Sequence, residues 1–223
     1  MSKKTALLIL NGELDFGREK LRKKIEEYKI DKIIAVDGGA NNARDVEILP
    51  DLIIGDLDSI TEQNKEYYHQ NNVELLKFPV EKDQTDSEIA VDYCLKNGIK
   101  KIFLTAALGG RVDQQLANLN LLEYINELNL EARIISEKIE IALISSSRKF
   151  VDKKGYRLSL IPQNKIVKGV SIKGCKYNLE NHDIKRSESR GISNLIENKQ
   201  AEVTLESGLL IYVLEKLEKR AVK

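Results

Sequence analysis

Short apolar runs alternate with charged, helix-spaced segments through the first 130 or so positions of the chain. Residues 5–10, 32–36, 52–54, 73–78 and 101–104 are apolar stretches of the length and β-branched content that suit buried strands. Between them, residues 18–28 place Leu21, Ile25 and Tyr28 at helical spacing among charged side chains. Residues 86–96 put Ile89, Ala90, Tyr93 and Cys94 on one helical face, and 113–128 repeat that spacing through Leu116, Leu119, Leu122 and Ile125. Thr85 with Glu88 fits a capping box, and Asn97-Gly98 fits a helix stop. Strands alternating with helices predict a parallel sheet covered on both faces.

Near residue 133 the pattern changes. Short segments follow at 133–135, 140–144, 156–161, 166–172, 202–205 and 209–214, several alternating in period two. Turn residues such as Lys154-Gly155 and Ser207-Gly208 separate them, which predicts a small antiparallel sandwich. Residues 178–194 are polar and weakly patterned, and they read as a long loop, disordered or functional. The expected fold class is therefore α/β: an N-terminal parallel-sheet α/β domain over 1–135 and a C-terminal antiparallel β-sandwich domain over 136–223.

Composition narrows the function classes. The chain has 223 residues, and its Lys+Arg count of 36 nearly balances 35 Asp+Glu. No global field marks it for nucleic acid or a membrane surface. Cys94 and Cys175 lack metal-site spacing and read as reduced thiols. The apolar run near the start is too short for a signal-peptide core, and no later run reaches the ~18 residues of a membrane span. A cytoplasmic protein is expected.

The candidate chemistry sits where strands end. Four polar signatures follow apolar runs: Asp37-Gly38-Gly39-Ala40-Asn41, Gly55-Asp56-Leu57-Asp58-Ser59, Lys82-Asp83-Gln84-Thr85-Asp86 and Gly109-Gly110-Arg111-Val112-Asp113-Gln114. Strand carboxyl ends of a parallel sheet share one edge, and ligands bind there. Asp56 and Asp58, two apart, reach one side, as a Mg2+ site with one or two carboxylates and phosphate oxygens requires. The stretch is no calcium loop, since Thr61 and Tyr67 stand where glycine and glutamate are needed. Asp83 and Asp86 form a second carboxylate pair beside a helix start, whose N–H groups suit a phosphate. Gly38-Gly39 lets backbone approach a ligand, though neither a dinucleotide fingerprint nor a Walker loop is present. Arg111 offers a planar fork for phosphate oxygens, and Asp113 is placed to cap the next helix, to hold Arg111 or to bind a metal. Together these point to a magnesium–polyphosphate site. His69 and His182 read as surface residues, Cys94 as helix core, and Tyr67 and Tyr68 as packing.

In order and spacing these motifs resemble the thiamine pyrophosphokinase family. The matching stretches are residues 36–41, 50–60, 82–86 and 109–118, then Ser159-Leu160-Ile161-Pro162, Arg190-Gly191-Ile192-Ser193-Asn194 and a terminal hairpin around Gly208. The resemblance implies transfer of the diphosphoryl group of ATP to the hydroxyl of thiamine, giving thiamine diphosphate and AMP. It implies a homodimer with active sites between subunits. It also implies that Asp56, Asp58, Asp83 and Asp86 surround Mg2+ and the triphosphate, with Arg111 among the catalytic groups. Asp37, Gly38, Gly39, Asn41, Asp56, Lys82, Arg111, Asp113 and Gln114 would form the ATP site. Asp86, Gln114, Ser193 and Asn194 would meet thiamine, with Asp86 accepting the hydroxyl proton. Gln114 stands where many bacterial relatives have histidine. The chain has no tryptophan, so an aromatic contact to thiamine falls to Tyr, Phe or His. Two competing readings are a haloacid-dehalogenase-like phosphatase with Asp56 as nucleophile and Asp58 as acid, and a non-catalytic nucleotide sensor.

Overall fold

A computed structural model describes residues 4–78 and 83–218. The chain divides into two compact units, Met1–Glu137 and Lys138–Lys223. In the first, β1 (Lys4–Ile9), β2 (Lys32–Val36), β3 (Leu52–Gly55), β4 (Glu74–Lys77), β5 (Ile99–Thr105) and β6 (Glu131–Ile135) alternate with helices. These are α1 (Arg18–Tyr28), α2 (Gly39–Asp45), α3 (Glu62–Gln70), α4 (Asp86–Lys96) and α5 (Val112–Glu127). The strands lie in the order β6-β5-β1-β2-β3-β4, and every pair among them is parallel.

That order reverses at β1. The chain winds outward through β2, β3 and β4, then crosses to the other side of β1 for β5 and β6. The crevice beyond the carboxyl ends of β1 and β5 is thus a topological switch point. The central strands are buried on both faces: Ala6 through Leu10, Leu52 through Ile54 and Ile102 through Leu104 are each at most 2% exposed. Burying each large aliphatic side chain contributes roughly 1.5–3 kcal/mol. Phe16 and Leu21 pack with Leu7, Ile9 and Phe103, while Tyr68 packs with Ala35, Ala40 and Ile53. The expected capping box of α4 is present, with the Thr85 N–H donating to Glu88 Oε2 at 2.7 Å and the Glu88 N–H to Thr85 Oγ1 at 3.3 Å. Such a cap contributes about 1 kcal/mol.

The second unit is antiparallel throughout. Its strands are β7 (Ile139–Ile144), β8 (Ser147–Val151), β9 (Tyr156–Pro162), β10 (Ile166–Lys173), β11 (Leu179–Lys185), β12 (Asn194–Leu195), β13 (Gln200–Thr204) and β14 (Leu210–Lys216). Strands β12-β9-β14-β7 run side by side, and β11-β10-β13-β8 form a separate sheet. Leu158, Leu160, Leu210 and Tyr212 from the first group meet Phe150, Val167, Ile172, Ile184 and Val203 from the second in one core, so the unit is a sandwich.

Three readings of the pattern change. Residues 133–135 belong to β6 of the parallel sheet, in which Arg133 and Ile134 pair with β5. Strand β8, which no pattern predicted, pairs with β13. The expected loop at 178–194 instead contains β11 and ends on the first residue of β12. Strand β11 is an edge strand carrying one fully buried apolar residue, Ile184, among polar neighbours. Its pairing to β10 shifts register twice, so no clean alternation marks it.

Candidate active site

The carboxyl edge of the parallel sheet opens into a cleft of about 370 Å³. Leu10, Asn11 and Gly12 line it after β1, Val36 and Asp37 at the end of β2, and Asp56 and Ser59 after β3. Gln84 through Ser87 contribute at the start of α4, and Ala107, Gly109, Arg111, Gln114 and Asn118 from the turn after β5 and from α5. The lining is mainly polar, as a phosphate site requires.

At one end three carboxylates converge. Ligand oxygens of Asp37, Asp56 and Asp58 lie within 4.8 Å of one another. Local geometry holds them there. Asp37 has a left-handed backbone, φ 46°, with its N–H donating to Ile54 O at 2.7 Å across the β2–β3 edge. The following turn packs so closely on β1 that a Cβ on Gly39 would come 1.9 Å from Ile9 O, which explains the glycine. Gly55 and Leu57, at φ 152° and 68°, turn the chain around Asp56. The Asp58 N–H then donates to Asp56 Oδ1 at 3.0 Å.

The donor set fits a hard divalent cation. Three carboxylates so close repel one another, and Asp37 Oδ1 is buried without a hydrogen-bond partner. Oxygen donors of this kind suit Mg2+, with its remaining positions left to water and phosphate oxygens. Two asparagines on α2 brace the surroundings. Asn41 bonds Ser59 O, the Thr61 N–H and Asn64, while Asn42 Nδ2 donates to Leu10 O at 2.8 Å and Gly12 O at 2.9 Å.

The turn after β5 brings a positive side chain, Arg111, to the cleft. Gly109 and Gly110 are left-handed at φ 79° and 69°, and they deliver Arg111 at the start of α5. Its guanidinium grips Asp113, Nε to Oδ1 at 3.1 Å and Nη2 to Oδ2 at 2.6 Å. This hydrogen bonding raises the Arg111 pKa and holds the Asp113 carboxyl below the usual carboxylate range. Asp113 thus holds Arg111, one of the roles its position allowed.

The structure sorts the remaining candidates. Asp86 and Gln114 line the cleft, whereas Asp58 and Asp83 are both exposed and outside its lining, and of these two it is Asp58 that converges with Asp37 and Asp56. Gly38, Gly39, Asn41 and Asp113 flank the cleft without lining it. Lys82 lies outside the described residues. Ser193 and Asn194 belong to the second unit. There Asn194 is 4% exposed, with Oδ1 accepting from the Tyr177 N–H and Nδ2 donating to Tyr177 O. Tyr177 itself is 62% exposed. Among lining residues, Asn11, Gly12, Ser87 and Asn118 were not singled out from sequence. Asn11-Gly12 ends the central strand, and that position was the available signal.

Comparisons with known proteins identify the family. The description "Thiamin pyrophosphokinase, catalytic domain" matches residues 9–134, and "Thiamin pyrophosphokinase, vitamin B1 binding domain" matches residues 143–210. Thiamine pyrophosphokinase of Bacillus subtilis is 31% identical over 183 residues, covering 81% of this chain and 85% of the relative. Thiamine pyrophosphokinase 1 of rice is 27% identical over 203 residues, 79% of this chain and 76% of the relative. Among solved structures, the Bacillus subtilis thiamine pyrophosphokinase superposes with a TM-score of 0.83 at 25% identity, covering 96% of this chain and all of that one. Yeast thiamin pyrophosphokinase shares the fold, with a TM-score of 0.82 at 20% identity over 97% of this chain and 87% of its own. These comparisons lend no support to the phosphatase or sensor readings. The two domain matches together span most of the sequence, and the chain belongs to the thiamin pyrophosphokinase family.

Proposed function

We propose that this chain is a magnesium-dependent thiamine diphosphokinase that uses ATP and places its metal on Asp37, Asp56 and Asp58. The observation that carries the reading is the convergence of those carboxylates, Asp37 and Asp56 lining the cleft and Asp58 beside it, in a chain matching both domains of the family. In the reaction the thiamine hydroxyl oxygen attacks the β-phosphorus of ATP. The bond from that phosphorus to the bridging oxygen of AMP breaks, and AMP leaves with the electron pair. Bound magnesium would supply charge neutralisation for the triphosphate oxygens.

The protein's own groups do the rest. Arg111, set on two glycines, meets the negative charge spread over the transferring group, and Asp113 fixes the plane of its guanidinium. The backbone of Asn11 and Gly12 forms the wall against the nucleotide. Asp86, in the first turn of α4, takes the hydroxyl proton, and Gln114 faces thiamine from α5. In the second unit Ser193 and Asn194 belong to the vitamin-binding surface. There the Asn194 carboxamide holds the backbone of Tyr177.

The protein is further proposed to act as a homodimer. Val112 and Leu116, one turn apart on α5 beside cleft residues, are 68% and 57% exposed and suit a partner surface. A cytoplasmic location is proposed from the free, buried thiols of Cys94 and Cys175. The test is chromatographic separation of products from protein, ATP, thiamine and Mg2+. AMP and thiamine diphosphate formed together, and only with the metal, are expected; ADP or free phosphate alone would overturn the reading.

A further inference from the structure

We propose that Asn41 is a positioning residue for the metal-holding carboxylates, acting with Asn64, and not a nucleotide ligand. The inference rests on the reading of Asp37, Asp56 and Asp58 as the magnesium site. The chain passes from β3 to α3 through residues 56–61, and Leu57 stands there at φ 68°. A non-glycine residue in that region persists only where its surroundings over-determine it. The bonds inside the turn, Asp58 N–H to Asp56 Oδ1 and Ser59 Oγ to Asp58 Oδ1, both at 3.0 Å, travel with the turn and anchor it to nothing.

Among the described residues, one carboxamide ties this turn to α2. Asn41 Nδ2 donates to Ser59 O at 2.8 Å, and its Oδ1 accepts from the Thr61 N–H at 3.2 Å and from Asn64 Nδ2 at 2.8 Å. Asn41 stands in the first turn of α2, four residues after Asp37. It therefore joins the turn bearing Asp37 to the turn bearing Asp56 and Asp58. Mutual repulsion would drive these turns apart, and the clamp opposes it. Burial of Ile60, 4% exposed, is the apolar counterpart. Asn64 lies on α3, outside the cleft lining, so any effect of changing it must pass through Asn41 and the turn.

The test is equilibrium Mn2+ binding by electron paramagnetic resonance, without nucleotide or thiamine. Wild type, Asn41→Ala and Asn64→Ala are compared after circular dichroism confirms folding. Asn41→Ala is expected to weaken Mn2+ by about tenfold, the range seen for groups that orient metal ligands, and Asn64→Ala by roughly threefold. Both variants should regain turnover at raised Mg2+ while the KM for thiamine stays within about twofold. Wild-type Mn2+ affinity in both variants would overturn the clamp. No Mn2+ binding by the wild type would instead overturn the metal reading beneath it. If Asn41→Ala fails to fold, Asn64→Ala decides the matter.

Discussion

Two acidic pairs look alike in the sequence and differ in the fold. Asp56 and Asp58 follow β3, an interior strand whose four residues are all buried. Their turn is strained, tied to α2 and joined by Asp37. Asp83 and Asp86 follow β4, the edge strand, whose residues are mostly exposed. Asp86 sits half-buried at the start of α4, while Asp83 is exposed. Strand-end position thus shows that acidic residues share an edge. Which of them converge is set by packing, because only a turn held from several sides keeps like charges together.

This contrast can be broken by substitution. The largest effect is expected from Asp56→Asn, a loss of about 1,000-fold in kcat, against less than about tenfold for Asp83→Asn. Steady-state rates with saturating substrates check this, and equal losses would erase the distinction. Next comes Gly39→Ala, which pushes a Cβ into Ile9 O and separates the Asp37 turn from β1. A loss of about 3 kcal/mol or more is expected by urea titration, with activity falling as the turn shifts.

The smallest effect concerns the anchor of α4 beneath the second pair. Burial pushes the Cys94 thiol from 9.0 up to about 12. Above pH 9.0 the unfolded thiol therefore ionises while the folded one stays neutral, so stability falls as pH rises toward 12. The slope approaches about 1.4 kcal/mol per pH unit. Cys94→Ala should lower stability at pH 7 yet flatten its decline above pH 9, as read by denaturant titrations at several pH values. An unchanged slope would mean that the thiol titrates normally.

Much of the architecture was legible because the central strands are nearly continuous apolar runs and the helices keep strict spacing. The capping box at Thr85 and Glu88 and the stop at Asn97-Gly98 were readable for the same reason, since their chemistry is local. Strand β11 was not legible, because an edge strand with polar faces and two register shifts carries no alternation. In the site, Asp56, Asp86, Arg111 and Gln114 were visible as strand-end or helix-start polar residues. That Asp37 meets Asp56 was hidden, since it depends on how two neighbouring strands place their turns. The commitment of Asn41 to the next turn was hidden for the same reason.

The most direct test of the metal assignment is a magnesium titration of thiamine diphosphate formation in wild type, Asp37→Asn and Asp83→Asn. Asp37→Asn should raise the half-saturating Mg2+ concentration by about tenfold or more, with Asp83→Asn within about twofold of wild type. A shifted titration for Asp83→Asn and an unshifted one for Asp37→Asn would contradict the assignment of the metal to Asp37, Asp56 and Asp58.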